Sequence, residues 1–185
     1  MGSEVAFEPM VVAASEPDMM GEPEFEAFYR RMFRPLWGYL QRMTGDGAAA
    51  DDLAQKAFIQ FLRTPLTTRD ESKVRGLLYR IATNLAIDEI RRLRREREGW
   101  LGRIVPFSTT PDPAGLRQDL GRAFEQLKPR ERSLLWLAHV EGFEHREIAA
   151  VIGVEEGSVK VLLFRARKRL GEILRKMGLG PEVMA

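Results

Sequence analysis

The 185-residue sequence predicts an all-α protein made of two small helical domains joined by a flexible linker. Three observations carry that prediction. Apolar side chains recur at three- and four-residue spacing over 24–98 and again over 116–177, and no segment alternates as a strand would. Between the two runs lies 99–115 (GWLGRIVPFSTTPDPAG), rich in Gly and Pro and almost without periodicity.

Taken in order, 1–23 mix Pro, Gly and Ser with Glu4, Glu8, Glu16, Asp18 and Glu22. They read as a flexible acidic tail with Val11 and Val12 as a docking point. From Glu24, the series Phe25, Phe28, Tyr29, Met32, Leu36, Tyr39, Leu40 and Met43 predicts an amphipathic helix that Pro35 should kink or break. Thr44-Gly45-Asp46-Gly47 ends it. A second helix follows from about Ala48, with Asp51 and Asp52 in its first turn and Leu53, Ala57, Phe58, Phe61 and Leu62 as its stripe. Thr64-Pro65 closes it.

A third helix runs from about Val74 to Glu98, its core stripe including Leu78, Ile81, Ala82, Leu85 and Leu93. After the linker, whose Trp100, Ile104, Val105 and Phe107 are unusually apolar, the helical pattern resumes at Leu116. It breaks at Lys128-Pro129, Glu141-Gly142 and Gly153, and gives way to a short tail at 179–185.

Composition excludes whole classes of function. With no cysteine, disulfides, thiolate metal sites and thiol catalysis are out. No apolar run approaches the ~18–20 residues of a membrane span, and the acidic N-terminus is no secretory signal, so the expected location is the cytoplasm. His139 and His145, six apart, do not share a helix face as a metal pair would. No phosphate loop, nucleophile elbow or dinucleotide fingerprint occurs, so neither an enzyme nor a cofactor is expected. Net charge is only +2, yet the first 23 residues hold five acids and no base, leaving the remainder at +7. A basic body suits an anionic partner.

The segment 143–170 names that partner most clearly. His145–Val151 is a short helix, Ile152-Gly153-Val154 a tight turn, and Glu156–Leu170 a longer helix, which is the helix-turn-helix arrangement. Val159, Leu163, Ala166 and Leu170 fall on one face that packs on Ile148 and Ala149. Ser158, Lys160, Val161, Phe164, Arg165 and Lys168 then point outward. Such a face can enter a major groove, Arg bridging a guanine edge and Lys meeting phosphates. Cations near a helix C-terminus also arise for dipole reasons alone.

The third helix offers Arg75, Arg80, Arg91, Arg92, Arg94, Arg95 and Arg97 interleaved with Tyr79 and Asn84. Aromatic and cationic side chains together suit single-stranded DNA. A solvated helix with Glu89, Glu96 and Glu98 neutralising neighbouring arginines fits the same residues.

Together these segments resemble the sigma-70 family of bacterial initiation factors, in its extracytoplasmic-function (ECF) type. Asp52-Leu53-Ala54-Gln55-Lys56-Ala57-Phe58 is similar to the family's Asp-Leu-Val-Gln-Glu-Thr-Phe segment. Leu78-Tyr79-Arg80-Ile81-Ala82-Thr83-Asn84-Leu85-Ala86-Ile87-Asp88 and the arginine run match its −10 segment. Leu127-Lys128-Pro129-Arg130-Glu131-Arg132, Glu147-Ile148-Ala149, Gly157-Ser158-Val159-Lys160 and Arg165-Ala166-Arg167 match its −35-reading domain. Lys56 stands where the family usually has Glu, Leu77 where a Trp is common, and Val161-Leu162 where Ser-Arg usually follow.

The resemblance implies a region 2-like domain over 24–98 and a region 4-like domain over 116–178. It implies docking on core RNA polymerase through Asp52, Gln55, Lys56 and Phe58. Tyr79, Arg80, Asn84, Asp88, Arg91 and Arg92 would contact the unpaired −10 strand of promoter DNA, and Ser158, Lys160, Phe164, Arg165 and Lys168 would face the −35 major groove. An anti-sigma factor is a further expected partner, and the free chain is expected to be monomeric. Two competing readings are a sigma-like interaction protein that reads little DNA, which Val161, Leu162 and Phe164 favour, and a helix-turn-helix repressor. The Asp52–Phe58 segment speaks against the repressor.

Overall fold

The computed structural model describes residues 20–99 and 115–179. Seven helices make up the described chain: α1 (Glu22–Thr44), α2 (Gly47–Leu62), α3 (Glu71–Gly99), α4 (Gly115–Glu125), α5 (Pro129–His139), α6 (His145–Ile152) and α7 (Glu156–Lys176). Val11 and Val12, and the linker's Trp100, Ile104, Val105 and Phe107, lie outside the described residues.

Helix α1 begins two residues before the expected start, so Glu22 and Pro23 leave the tail. Proline costs nothing in a first turn, where its missing N–H has no partner to lose, and Glu22 and Glu24 face the positive helix end. Of the kink or break expected at Pro35, the break does not occur: the helix is continuous through that residue. Phe28, Met32, Leu36, Tyr39, Leu40 and Met43 bury one continuous face on both sides of the exposed proline. That burial outweighs a single lost hydrogen bond.

Gly45 ends α1 in the left-handed conformation at φ 72°. Asp46 then caps α2, its carboxylate accepting the Ala48 and Ala49 amides at 2.8 and 3.3 Å. Helix α2 therefore starts at Gly47, and Asp51 and Asp52 sit beyond its first turn. Asp51 instead accepts the Trp37 indole N–H at 2.7 Å, tying α2 to α1. Leu62, expected inside, is 38% exposed, while Ala50 and Ala54 take the inward positions.

The two halves do not stand apart. Helix α3 packs against α6, and α1 and α3 both touch α5. At this seam the Tyr39 hydroxyl lies 2.8 Å from Thr83 Oγ1 and 2.6 Å from Ser133 Oγ, all three side chains buried. Thr83 donates to the Tyr79 carbonyl at 2.6 Å. Tyr39 must therefore donate to Thr83 and accept from Ser133, so every hydroxyl proton in the chain is used. Burial pushes the Tyr39 phenol up to about 12.

Other contacts flank this chain of hydroxyls. Arg132 of α5 donates to the Met43 carbonyl at the end of α1 at 2.6 Å, meeting an orphan group at a negative helix terminus. The Arg42 guanidinium lies 5.9 Å from the Trp136 ring centroid. Arg75 of α3 stacks 4.0 Å over Phe143 and donates to the Glu141 carbonyl at 3.2 Å. Ser72 donates to Glu147 at 2.5 Å.

Candidate nucleic-acid interface

The helix-turn-helix forms where the spacing placed it. The Glu147 carboxylate accepts the Glu144 amide at 2.6 Å and so opens α6. Gly153 closes α6 at φ 67°, a left-handed turn that any side chain would strain. Arg130 reaches over from α5 to donate to the Ile152 carbonyl at 3.0 Å, fixing the turn from behind. Glu155 caps α7 without a side-chain hydrogen bond.

Val159, Leu163 and Ala166 are buried against Ile148 and Ala149, and Leu170 is half-buried at the edge of the same face. That fixes the rotation of α7. Ser158, Lys160, Val161, Phe164, Arg165 and Lys168 all point to solvent, with Phe164 65% exposed. Lys160, Phe164, Arg167 and Lys168 line one open depression along this face. Lys160, Arg165 and Lys168 pair with no acid among the described residues, so their charge is available to an outside anion.

On α3 the outcome is divided. Arg80, Asn84, Asp88 and Arg91 form an exposed stripe at spacings of four, four and three. Arg91 approaches Asp88 at 3.7 Å, and Arg80 has no acidic partner among the described residues. Arg92 is exposed too, but Glu89 and Glu96 hold its guanidinium, each at 2.6 Å. Those two carboxylates raise the pKa of Arg92, and Arg92 lowers that of Glu89.

Tyr79 is a correction. Its side chain is fully buried, with its ring 5.3 Å from Tyr39 and 5.1 Å from Phe143. Position 79 shares a face with Ala82, Thr83 and Ala86, so α3 buries a second stripe beside Leu78. The Tyr79 hydroxyl has no hydrogen-bond partner, and burial, with the nearby Glu141 carboxylate, drives its pKa far above the ordinary phenol value. This ring cannot stack on a base in the arrangement described.

Helix α2 carries a similar correction. Asp52, Gln55 and Lys56 are exposed on one face, Lys56 pairing with Asp52 at 2.5 Å. Phe58 is 3% exposed, its ring 4.7 Å from Tyr29 and within 6.4 Å of Phe25 and Phe33. It holds α1 to α2. Ile59, 50% exposed, continues the Asp52-Gln55-Lys56 stripe outward. Helical spacing could have found it, since Ile59 lies four and three residues beyond Gln55 and Lys56.

His139 and His145 are both exposed, and no group of acids and histidines suited to a metal occurs among the described residues. Nor is any helix among them long and apolar enough to cross a membrane.

An exposed cationic face on the second helix of a helix-turn-helix, beside a second arginine-bearing helix in an all-α frame, is the arrangement typical of nucleic-acid-binding regulators. Comparison with known proteins gives the family. Sigma-70 region 2 matches 28–96 and sigma-70 region 4 matches 117–170. The RNA polymerase sigma factor CarQ of Myxococcus xanthus is 31% identical over 160 residues, covering 84% of this chain and 91% of that one. The ECF RNA polymerase sigma factor SigL of Mycobacterium tuberculosis is 30% identical over 173 residues, covering 90% and 95%. The sigma factor RpoE of Bartonella quintana, solved with the anti-sigma factor NepR, shares the fold at a TM-score of 0.69 and 24% identity, over 82% of this chain and 96% of that one. The chain belongs to the sigma-70 family of RNA polymerase sigma factors, ECF type, and its role is that of a transcription initiation factor.

Proposed function

We propose that this chain binds core RNA polymerase in the cytoplasm and directs it to promoters by reading a −35 and a −10 element, then stabilises the melted −10 strand. The observation that carries the reading is the α7 face: Val159, Leu163 and Ala166 lock the helix inward and leave Ser158, Lys160, Phe164, Arg165 and Lys168 free to enter a major groove. The Arg80-Asn84-Asp88-Arg91 stripe on α3 supports −10 contact, with the amide of Asn84 suited to a base edge and the arginines to phosphates. Asp52, Gln55, Lys56 and Ile59 on α2 form the polymerase-docking face.

Run-off transcription with core polymerase on genomic fragments tests this directly. Discrete transcripts that require the chain are the expected result. Binding to core without transcripts would instead favour an interaction protein that meets an anti-sigma factor or polymerase and reads little DNA. Phe164 and Val161, apolar and 65% and 49% exposed on the reading face, are what that second reading rests on.

A further inference from the structure

We infer that Val161 and Phe164 select thymine in the −35 element, through the C5-methyl group that thymine displays in the major groove. This rests on the bipartite promoter reading above and adds the base that the apolar part of the α7 face chooses.

The two side chains are 49% and 65% exposed and stand three residues apart in α7, a spacing that puts them side by side on one face. Their rise along the helix is about 4.5 Å, close to the ~3.4 Å step between stacked base pairs. The pair therefore meets neighbouring positions of the groove. Helix α7 begins at Glu156, so both residues belong to its first half, the part of a recognition helix that reaches base edges. Position 161 is also where the family usually carries Ser, so the apolar side chain there is this chain's own departure.

The surroundings say what covers this surface. Residues 157–171 hold five cations, Lys160, Arg165, Arg167, Lys168 and Arg169, and no acid. Lys160, Arg167 and Lys168 line the same open depression as Phe164. An apolar patch ringed by positive charge fits an occupant that is anionic at its rim and apolar at its centre. A major groove that contains thymine is built that way. Phosphates flank it, and the thymine methyl is the apolar group on its base-pair edges. Val161 and Phe164 carry no hydrogen-bonding side-chain atom, so the donor and acceptor patterns of the other bases give them nothing to read.

Replacing thymine by deoxyuridine removes the methyl and leaves every hydrogen-bonding group in place. The test uses the full chain with core polymerase on a promoter mapped by run-off transcription, with each −35 thymine of either strand replaced singly. Equilibrium binding should fall about fourfold at one or two positions, the worth of one methyl-sized group returned to water. Phe164→Ala and Val161→Ser, changes outside the core, should each bind the thymine and deoxyuridine duplexes equally at one of those positions. Wild-type binding that no replacement weakens overturns the inference and leaves the two side chains to a protein partner. A −35 element without thymine on either strand overturns it too. So does a methyl dependence that survives in both variants, since another residue then reads the methyl. A chain that yields no transcript from any fragment overturns the bipartite reading on which the inference rests.

Discussion

Tyr39 on α1 and Ser133 on α5, 94 positions apart in sequence, share a hydrogen bond of 2.6 Å across the seam between the two halves of the molecule. Both side chains are fully buried, and Tyr39 passes its own proton on to Thr83. A chain of three hydroxyls in an apolar seam is tolerated only because each proton has a destination.

Removing one link should therefore cost more than one hydrogen bond in water. Tyr39→Phe leaves the Ser133 donor and a Thr83 lone pair unmet and should destabilise the protein by about 1–3 kcal/mol. Urea unfolding monitored by far-ultraviolet circular dichroism measures it. A loss under 0.5 kcal/mol would mean that water already reaches the seam.

Alkaline pH attacks the same residue. Tyr39 titrates near its ordinary value of about 10 when unfolded and at about 12 when folded, so the folded state binds the proton more tightly. The stability this represents is complete below pH 10 and drains away between about pH 10 and 12, to the extent of roughly 2–3 kcal/mol. Tyr39→Phe should make that stretch of the stability–pH profile less steep, the slope that remains belonging to the buried Tyr79 phenol, which is also raised. An unchanged slope in the variant would assign the alkaline loss to other groups.

Helix α2 separates packing from docking at adjacent positions. Phe58→Ala empties the ring cluster with Phe25, Tyr29 and Phe33 and should cost about 3–5 kcal/mol of stability. Ile59→Ser, on the exposed face, should leave stability within about 0.5 kcal/mol while weakening core polymerase binding in a pull-down or anisotropy titration. Equal binding by Ile59→Ser and wild type would remove Ile59 from the docking face.

On α7, Arg165→Ala should cost about 1–3 kcal/mol at one base pair of the −35 element and relax preference there. Lys168→Ala should weaken binding evenly across sequences and reduce the salt slope by about one. Electrophoretic mobility shifts across a salt series and a set of single-base variants separate the two roles. A uniform loss for Arg165→Ala would make it a phosphate contact.

The arginine pair on α3 should behave unequally. Arg91 is exposed and only loosely held by Asp88, whereas Arg92 is committed to Glu89 and Glu96. Arg91→Ala should reduce binding to a single-stranded −10 oligonucleotide several-fold. Arg92→Ala should chiefly cost the helix a few tenths of a kcal/mol per lost pair. Equal losses of binding in both variants would show that Arg92 leaves its carboxylates for the DNA.

What the sequence determined by itself is the rotation of each helix with a single buried face. In α7 the positions of Val159, Leu163 and Ala166 are enough, because a helix with one apolar stripe has one way to turn it inward, and Ser158, Lys160, Phe164, Arg165 and Lys168 are then outside. The stops at Gly45 and Gly153 were legible for a similarly local reason, the left-handed backbone that glycine alone adopts without strain. The tertiary structure decided the rest. Helix α3 packs against α1, α2, α5 and α6 and buries a second stripe beside Leu78, and α2 turns Phe58 onto α1, so periodicity cannot say whether a further aromatic serves the core or a partner. Packing placed Phe58 among the rings of α1 and Tyr79 between Tyr39 and Phe143, and it carried α1 through Pro35. The seam itself, from Tyr39 to Ser133 and from Arg132 to Met43, joins residues about 90 positions apart, a separation at which sequence spacing holds no information and only the closeness of folded surfaces decides who meets whom.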